Sequence, residues 1–384
     1  MMELLNFINS HPSNWESLLK DSPYYLSIKN SYPYYLLMYD QTRSDMSISI
    51  VQQARGIIIR KVPNSEEYAA VCVPFYKFFN WNEQYSAIDK IDWSTASVQQ
   101  KVDGSIVKIW FDPYAPETGW HISTNKSIDA NEAECGFTTY GQLIRSTIYN
   151  TTYRFFEALD THYCYMFELT TKYNQVVINY DNDHLWYLGR RNMHTLQEDC
   201  KPLNIVGILT PARFPHTSLD ACVEAAHHMG DDEEGYVVCD ANFNRIKIKG
   251  DEYLRLHHLR GNGIITIKRV VNMWLDGSLD DFNAYFPQYN EFTTSVISNI
   301  IELGIHLDTI YAMIISLPTV LTRKDLALAC TNAYPITRAY LFKRYDNKVA
   351  NGYEFCRTAA ASKLLIDALN KRLKIKEIGV SEDE

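Results

Sequence analysis

The chain changes its periodicity once, near residue 250, and that change limits the folds open to it. From Tyr34 to Lys249 the apolar residues come in short runs rich in β-branched and aromatic side chains, the pattern of strands. The best runs are Tyr34–Tyr39, Gly56–Lys61, Ala69–Phe75, Ile106–Phe111, His121–Thr124, Tyr163–Thr170, Val176–Tyr180, Leu185–Arg190, Tyr236–Asp240 and Arg245–Lys249. Helical spacing interrupts them near 129–159 and 217–229, and residues 2–20 read as an amphipathic helix carrying Leu4, Leu5, Ile8, Trp15, Leu18 and Leu19. After Lys249 the apolar residues recur at helical spacing, as in Ile297, Ile300, Ile301 and Ile305, or Leu364, Leu365, Ala368 and Leu369. Gly261-Asn262-Gly263 and Pro287 divide this part into several helices. The pattern predicts an α+β chain: a domain of mainly antiparallel sheets over 1–254, then an all-α domain over 255–384.

A chain of 384 residues can bury two cores. Its formal net charge of −9 argues against a protein that coats nucleic acid without preference, which would be basic overall. An enzyme needs only a local basic groove. The eight cysteines form no C-x-x-C pair, so they read as free thiols in a reducing compartment. Met1–Lys20 lacks the basic-then-apolar order of a signal peptide. The most apolar helical stretch, Ile310–Leu321, is too short for a bilayer and contains Pro318. These features predict a cytosolic protein with no membrane partner.

The stretch with the most chemistry is Lys101-Val102-Asp103-Gly104-Ser105, at the mouth of the apolar run through Phe111. A lysine amine is a nucleophile only when unprotonated, and its ordinary pKa is about 10.4. Neighbouring cations or partial burial favour the neutral form. Around it stand Ala54-Arg55-Gly56, the run Pro74-Phe75-Tyr76-Lys77-Phe78-Phe79-Asn80-Trp81-Asn82-Glu83, Phe167-Glu168, Glu233-Glu234-Gly235 and Lys247-Ile248-Lys249. The last puts two lysines on one face of a strand, an unfavourable pairing unless an anion such as phosphate joins them. Glu168 and Glu234 suit a ribose hydroxyl or a metal-bound water. The run His227, His228, Asp231, Asp232 and Glu233 has the residue types of a metal site, but reads better as a solvated helix end.

Together Lys101-x-Asp-Gly, Phe167-Glu168, Glu234-Gly-Tyr-Val and Lys247-x-Lys249 resemble the motifs of the covalent nucleotidyltransferases, the ATP-dependent ligases and capping enzymes. Arg55-Gly56 and Lys77-Phe78-Phe79-Asn80-x-Asn82-Glu83 narrow the resemblance to the phage RNA ligase 1 family, which repairs cleaved tRNA, over about residues 35–282. The resemblance implies an antiparallel-sheet adenylation domain followed by an all-α, RNA-binding domain. It implies that Lys101 takes AMP from ATP, while Arg55, Lys77, Lys247 and Lys249 hold the triphosphate. Tyr39 and Tyr253 match family positions, Glu168 and Glu234 match acids at the ribose and metal, and Asp280 with Asp281 match a pair that holds a divalent cation. The implied cofactors are ATP and Mg²⁺, with Mn²⁺ able to substitute.

The implied partner is RNA with 5′-phosphate and 3′-hydroxyl ends, above all cleaved tRNA, and the protein is expected as a monomer in the cytoplasm of a phage-infected cell. Arg338, Lys343, Arg344 and Lys348, and Lys371, Arg372, Lys374 and Lys376, are two basic clusters consistent with phosphate contact. One position departs from the family: where a basic residue usually precedes a serine, this chain has Thr124-Asn125-Lys126-Ser127. Either Asn125 replaces the base or Lys126 supplies it from a shifted register. Two other readings stay open: an RNA guanylyltransferase of the capping type, and a non-catalytic RNA-binding protein on the same fold.

Overall fold

The structure is a computed structural model, and it describes residues 2–135, 137–151, 154–173, 178, 180–203, 205–254, 265–319 and 322–373. Its contacts divide the chain into two compact units, Met1–His257 and His258–Glu384.

The first unit holds three large sheets. One has the order β1 (Ser27–Ser31), β2 (Tyr34–Met38), β3 (Arg55–Lys61), β4 (Tyr68–Cys72), all antiparallel. Its strands alternate cleanly. Tyr35, Leu37, Ile57 and Ile59 point to one side, against Leu4 and Ile8 of α1 (Glu3–Ser10), Trp15 and Leu19 of α2 (Trp15–Lys20) and Val51 of α3 (Ser49–Gln53). Leu36, Ile58 and Cys72 point to the other, against Trp110, Cys164 and Met166 of the next sheet. A strand buried on both faces needs a nearly continuous apolar run, and Gly56-Ile57-Ile58-Ile59 supplies it.

That neighbouring sheet is antiparallel too. It comprises, in chain order, β7 (Ser105–Phe111), β8 (Trp120–Thr124), β11 (Tyr163–Thr170), β12 (His184–Asn192) and β13 (Glu198–Asp199), and in space the order is β13-β12-β11-β7-β8. Val107, Ile109, Tyr165, Phe167 and Leu169 face away from the first sheet, against α4 (Tyr140–Thr151). A two-strand hairpin of β9 (Glu134–Cys135) and β10 (Thr138–Thr139) leads into that helix.

The third sheet has the order β14-β6-β15-β16-β5, from β5 (Phe79–Asn80), β6 (Ser97–Gln100), β14 (Arg213–Phe214), β15 (Gly235–Cys239) and β16 (Arg245–Lys249). It packs Val98, Tyr236, Val238, Ile246 and Ile248 against Cys222 and Ala226 of α5 (Leu219–His227). Its one parallel pairing sets β5 beside β16, with Phe79 opposite Ile246 and Asn80 opposite Lys247.

The predicted antiparallel sheets are present, with differences at polar or broken stretches. The helix read over 2–20 is two helices, interrupted by a turn at His11–Asn14 that holds Pro12. Among the described residues of 129–159 only Tyr140–Thr151 is α-helix, the hairpin taking the earlier part. The strand read over Val176–Tyr180 lies outside the described residues except for Ile178 and Tyr180, which are not in a strand.

The second unit is helical: α6 (Ile267–Asp276), α7 (Leu279–Tyr285), α8 (Asn290–Ile315), α9 (Arg323–Ala329), α10 (Pro335–Tyr345), α11 (Gly352–Cys356) and α12 (Ala359–Leu373). Its core gathers Trp274, Phe282, Val296, Ile300, Leu307, Tyr340, Leu341, Phe355 and Leu365. Asp308 of α8 ties three helices together: it accepts the Tyr340 hydroxyl, and both its oxygens accept the Gly352 N–H that starts α11, at 3.0 and 3.1 Å. Among the described residues no helix is long and apolar enough to cross a membrane, and all eight cysteines are free thiols.

Candidate active site

Lys101 lies between β6 of the third sheet and β7 of the second, where the chain passes from one sheet to the other. Its N–H donates to the Gly235 carbonyl at 2.8 Å, extending the β6–β15 ladder by one residue. Its ammonium is 2.6 Å from Glu234 Oε2, while Glu234 Oε1 is 3.3 Å from the ammonium of Lys249. One buried carboxylate thus joins two strands and two cations. Such charge-assisted contacts in a place shielded from water are far stronger than surface pairs.

Asp103, next along, is buried and anchors the turn. Its Oδ1 accepts the Tyr253 hydroxyl at 3.0 Å and its Oδ2 accepts the Ile178 N–H at 2.8 Å. The Tyr253 ring lies 5.1 Å from the Lys249 ammonium. Gly104 leaves no space for a side chain, since a Cβ there would stand 2.4 Å from the Leu169 carbonyl oxygen. The bare backbone lets the turn lie directly on β11, beside Glu168.

Glu168 is opposite Ile106 in the β11–β7 ladder and lies on the side of that sheet facing the first one. Burial pushes its carboxyl up from an ordinary 4.5 to about 8; Glu234 and Asp103 push the same way, while Lys101 and Arg55 pull it down. A carboxyl perturbed by burial and by a specific set of charges is a marker of functional sites.

Arg55 opens β3 at an irregularity, where the register against β2 slips between Leu37 and Met38. Its Nη1 donates to the Phe75 carbonyl at 3.4 Å and its guanidinium lies 5.3 Å from the Phe78 ring. Lys77 is tied through its N–H to the Gln52 carbonyl at 2.8 Å, and its ammonium stands 5.1 Å from the rings of both Tyr39 and Phe79. Tyr39 is fixed in turn by its N–H to the Ala54 carbonyl at 2.7 Å. Lys247 shares a face of β16 with Lys249, and its carbonyl accepts the Trp81 N–H at 3.0 Å.

The structure therefore gathers Lys101, Asp103, Glu168, Glu234, Lys249, Tyr253 and Arg55 through direct contacts or mutual fields, with Tyr39, Lys77 and Lys247 on adjoining backbone. Asp280 and Asp281 belong to the other unit, in the first turn of α7. At the departing position Asn125 takes the inward place, and Lys126 is exposed, its carbonyl accepting the Lys29 ammonium at 2.7 Å. Asn125 Oδ1 is buried and meets no hydrogen-bond partner among the described residues.

Sequence reasoning missed one supporting group. Glu198 accepts Arg191 on Oε1 at 2.5 Å and is ion-paired through Oε2 with Arg245 at 2.6 Å, all three side chains being buried. Arg245 lies over the Phe75 ring and Arg191 over the Tyr76 ring, at 4.3 and 4.4 Å. This triad joins β16, β12, β13 and the stretch that leads to Lys77. The signal available was Arg245 itself, two residues before Lys247 and on the same face.

At the crossing between the two sheets, then, Lys101 and Lys249 meet on the one buried carboxylate of Glu234. The family model that matches residues 53–253 is described as RNA ligase, and that span contains Arg55, Lys77, Lys101, Glu168, Glu234, Lys247 and Lys249. The chain belongs to this family, the phage RNA ligase 1 family that its motifs resemble. It is 31% identical, over 300 residues, to a protein of Autographa californica nuclear polyhedrosis virus described as a bifunctional polynucleotide kinase/RNA ligase, covering 71% of this chain and 42% of that one. The chain thus spans less than half the length of that relative. An RNA ligase of Rhodothermus phage RM378 is 24% identical over 355 residues, covering 73% of this chain and 76% of that one. Among solved structures, an archaeal ATP-dependent RNA ligase aligns over 99% of both chains at 13% identity and a TM-score of 0.46, a likeness too loose to carry a functional argument.

Proposed function

We propose that this protein is an ATP-dependent RNA ligase that works through three phosphoryl transfers with Lys101 as nucleophile. The observation that carries the reading is the Lys101–Glu234–Lys249 bridge in a shielded crossing between sheets. In the first step the Lys101 amine attacks the α-phosphorus of ATP. A P–N bond forms, the bond to pyrophosphate breaks, and the amine sheds its proton. Next a 5′-phosphate oxygen of RNA attacks the same phosphorus, freeing the lysine and leaving AMP on the RNA end. Last, a 3′-hydroxyl attacks that 5′-phosphate and expels AMP, sealing the strand.

Such transfers need positioning and charge neutralisation more than covalent help. Arg55, Lys77, Lys247 and Lys249 would hold the triphosphate, with Tyr39 beside Lys77. Only an unprotonated amine attacks, so Lys101 has to yield its proton, for which the Glu234 carboxylate in contact with it is the acceptor, and part from Glu234 as the P–N bond forms. Glu234 is then free to turn to a ribose hydroxyl, as Glu168 would. ATP enters as its Mg²⁺ complex, or with Mn²⁺. Asp280 and Asp281 offer hard oxygen donors, and Mg²⁺ commonly binds through one or two carboxylates while keeping its water.

The helical unit would take part of the RNA. Its first basic cluster is partly engaged already: Arg338 donates to the Thr331 carbonyl at 2.7 Å and Arg344 lies 5.3 Å from the Tyr311 ring. Arg372 of the second is paired with Glu302. Lys348 is exposed. Cleaved tRNA is the substrate we propose, joined by a monomer in the cytoplasm of an infected cell.

The test is to incubate the protein with Mg²⁺ and α-labelled ATP, or α-labelled GTP, and read the adduct by denaturing gel and intact mass. The reading requires an AMP adduct that Lys101→Ala abolishes, and sealing of 5′-phosphate RNA. A GMP adduct would make the protein a guanylyltransferase. No adduct, in protein shown not to be already charged, would leave a non-catalytic RNA binder.

A further inference from the structure

One buried group has no part in the site as built so far. Lys108 stands in the middle of β7, opposite Met166 on one side and Ser123 on the other, with none of its surface exposed. By alternation its side chain leaves the sheet on the face of Trp110, into the apolar layer shared with β2, β3 and β4. A lysine in such a layer is costly unless its head group is bonded. Here the ammonium donates to the Gly56 carbonyl at 2.5 Å. Burial pulls the amine below its usual range, the Cys72 and Cys164 thiols pulling the other way and Arg55 adding to the decrease.

Gly56 is the residue after Arg55, at the irregularity that opens β3, and its φ is +79°. A bulge of this kind re-aims the side chain beside it. The space around it is full. A Cβ on Gly56 would stand 2.8 Å from Asn125 Oδ1 and 3.1 Å from the Lys108 ammonium nitrogen. An apolar side chain at 108 would fill the layer at less cost, but it could not hold the Gly56 carbonyl.

We propose that Lys108 is a positioning residue for Arg55: from inside the core it fixes the Gly56 peptide, and so the direction from which Arg55 reaches the phosphates. Lys108 is shut off from solvent and touches no substrate itself. The inference rests on the reading of Arg55 as a phosphate-holding residue.

The test compares wild type, Lys108→Met, Arg55→Ala and the double variant for the rate of Lys101–AMP formation from α-labelled ATP across a range of ATP concentrations, with thermal melting alongside. Methionine fills the layer without the donor. Lys108→Met is expected to melt no earlier than wild type, yet to form the adduct roughly tenfold more slowly or worse at low ATP, with the loss recovered in part at high ATP. Added to Arg55→Ala, it should cost nothing further, the mark of two residues acting as one. Should Lys108→Met not fold, Lys108→Leu, which also lacks the donor, carries the same comparison. A wild-type rate in a folded variant, or losses that add, would overturn this inference alone. Absence of any AMP adduct in wild type would overturn the ligase reading and this one with it.

Discussion

The ammonium of Lys101 lies 2.6 Å from Oε2 of Glu234, a residue 133 positions further along the chain. The contact crosses from the end of β6 to the start of β15 and places the Lys101 amine where Lys249 also arrives. Glu234→Gln removes the shared charge while keeping the shape. It should slow AMP-adduct formation roughly tenfold or more, as seen in single-turnover labelling. A rate equal to wild type would mean that Lys101 finds its geometry without the bridge.

Glu168 makes stability depend on pH with a definite sign. Its carboxyl titrates at about 8 in the fold against an ordinary 4.5, so between those values the folded chain keeps a proton that the unfolded chain has released. The unfolding free energy contributed here falls as pH rises across that window and levels off above it. Denaturant unfolding of wild type and Glu168→Gln from about pH 5 to about pH 8 should show the variant gaining on wild type as pH rises. A constant difference would show that Glu168 does not carry the proton.

Removing Glu198 strands two arginines in the interior. Breaking a buried ion pair from one side typically costs about 3–5 kcal/mol, so Glu198→Ala should lower the urea midpoint of the first unit sharply. Because Arg245 shares a strand with Lys247 and Lys249, the variant's weakened ATP binding should accompany the loss. Tight ATP binding in a destabilised variant would separate the triad from the site.

In the helical unit, Asp308→Ala leaves the buried Tyr340 hydroxyl and the first N–H of α11 without their acceptor. An unsatisfied buried group costs about 1–3 kcal/mol. Melting of this unit should fall accordingly, with AMP-adduct formation unchanged and RNA joining reduced. Loss of adduct formation would mean that the helices are needed for the first chemical step.

The sequence shows most where apolar alternation is strong. Tyr163–Thr170 and Arg245–Lys249 are strands over the very residues their pattern predicts, and Ile106–Phe111 gains only Ser105. It is silent where a strand is held by its neighbours alone: Ser97–Gln100 and Ser27–Ser31 are polar, yet each is fixed by a full ladder. The site divides in the same way. Lys101, Arg55, Lys77 and the Lys247–Lys249 pair stand out as charged residues at marked places in the chain. Lys108 and Glu198 do not, because what distinguishes them is a partner on a distant strand.

The parallel pairing of β5 with β16 has a bearing on synthesis. The residues around Phe79 emerge from the ribosome long before Arg245–Lys249, and contacts this far apart in sequence form late. Until Glu234 has emerged Lys101 lacks its carboxylate, and until β16 has emerged it lacks the second lysine. On the proposed function, a nascent chain stalled or cut before Glu234 would present the Lys101 amine without the carboxylate that positions it, and so would not spend ATP on an intermediate that no finished protein would pass on.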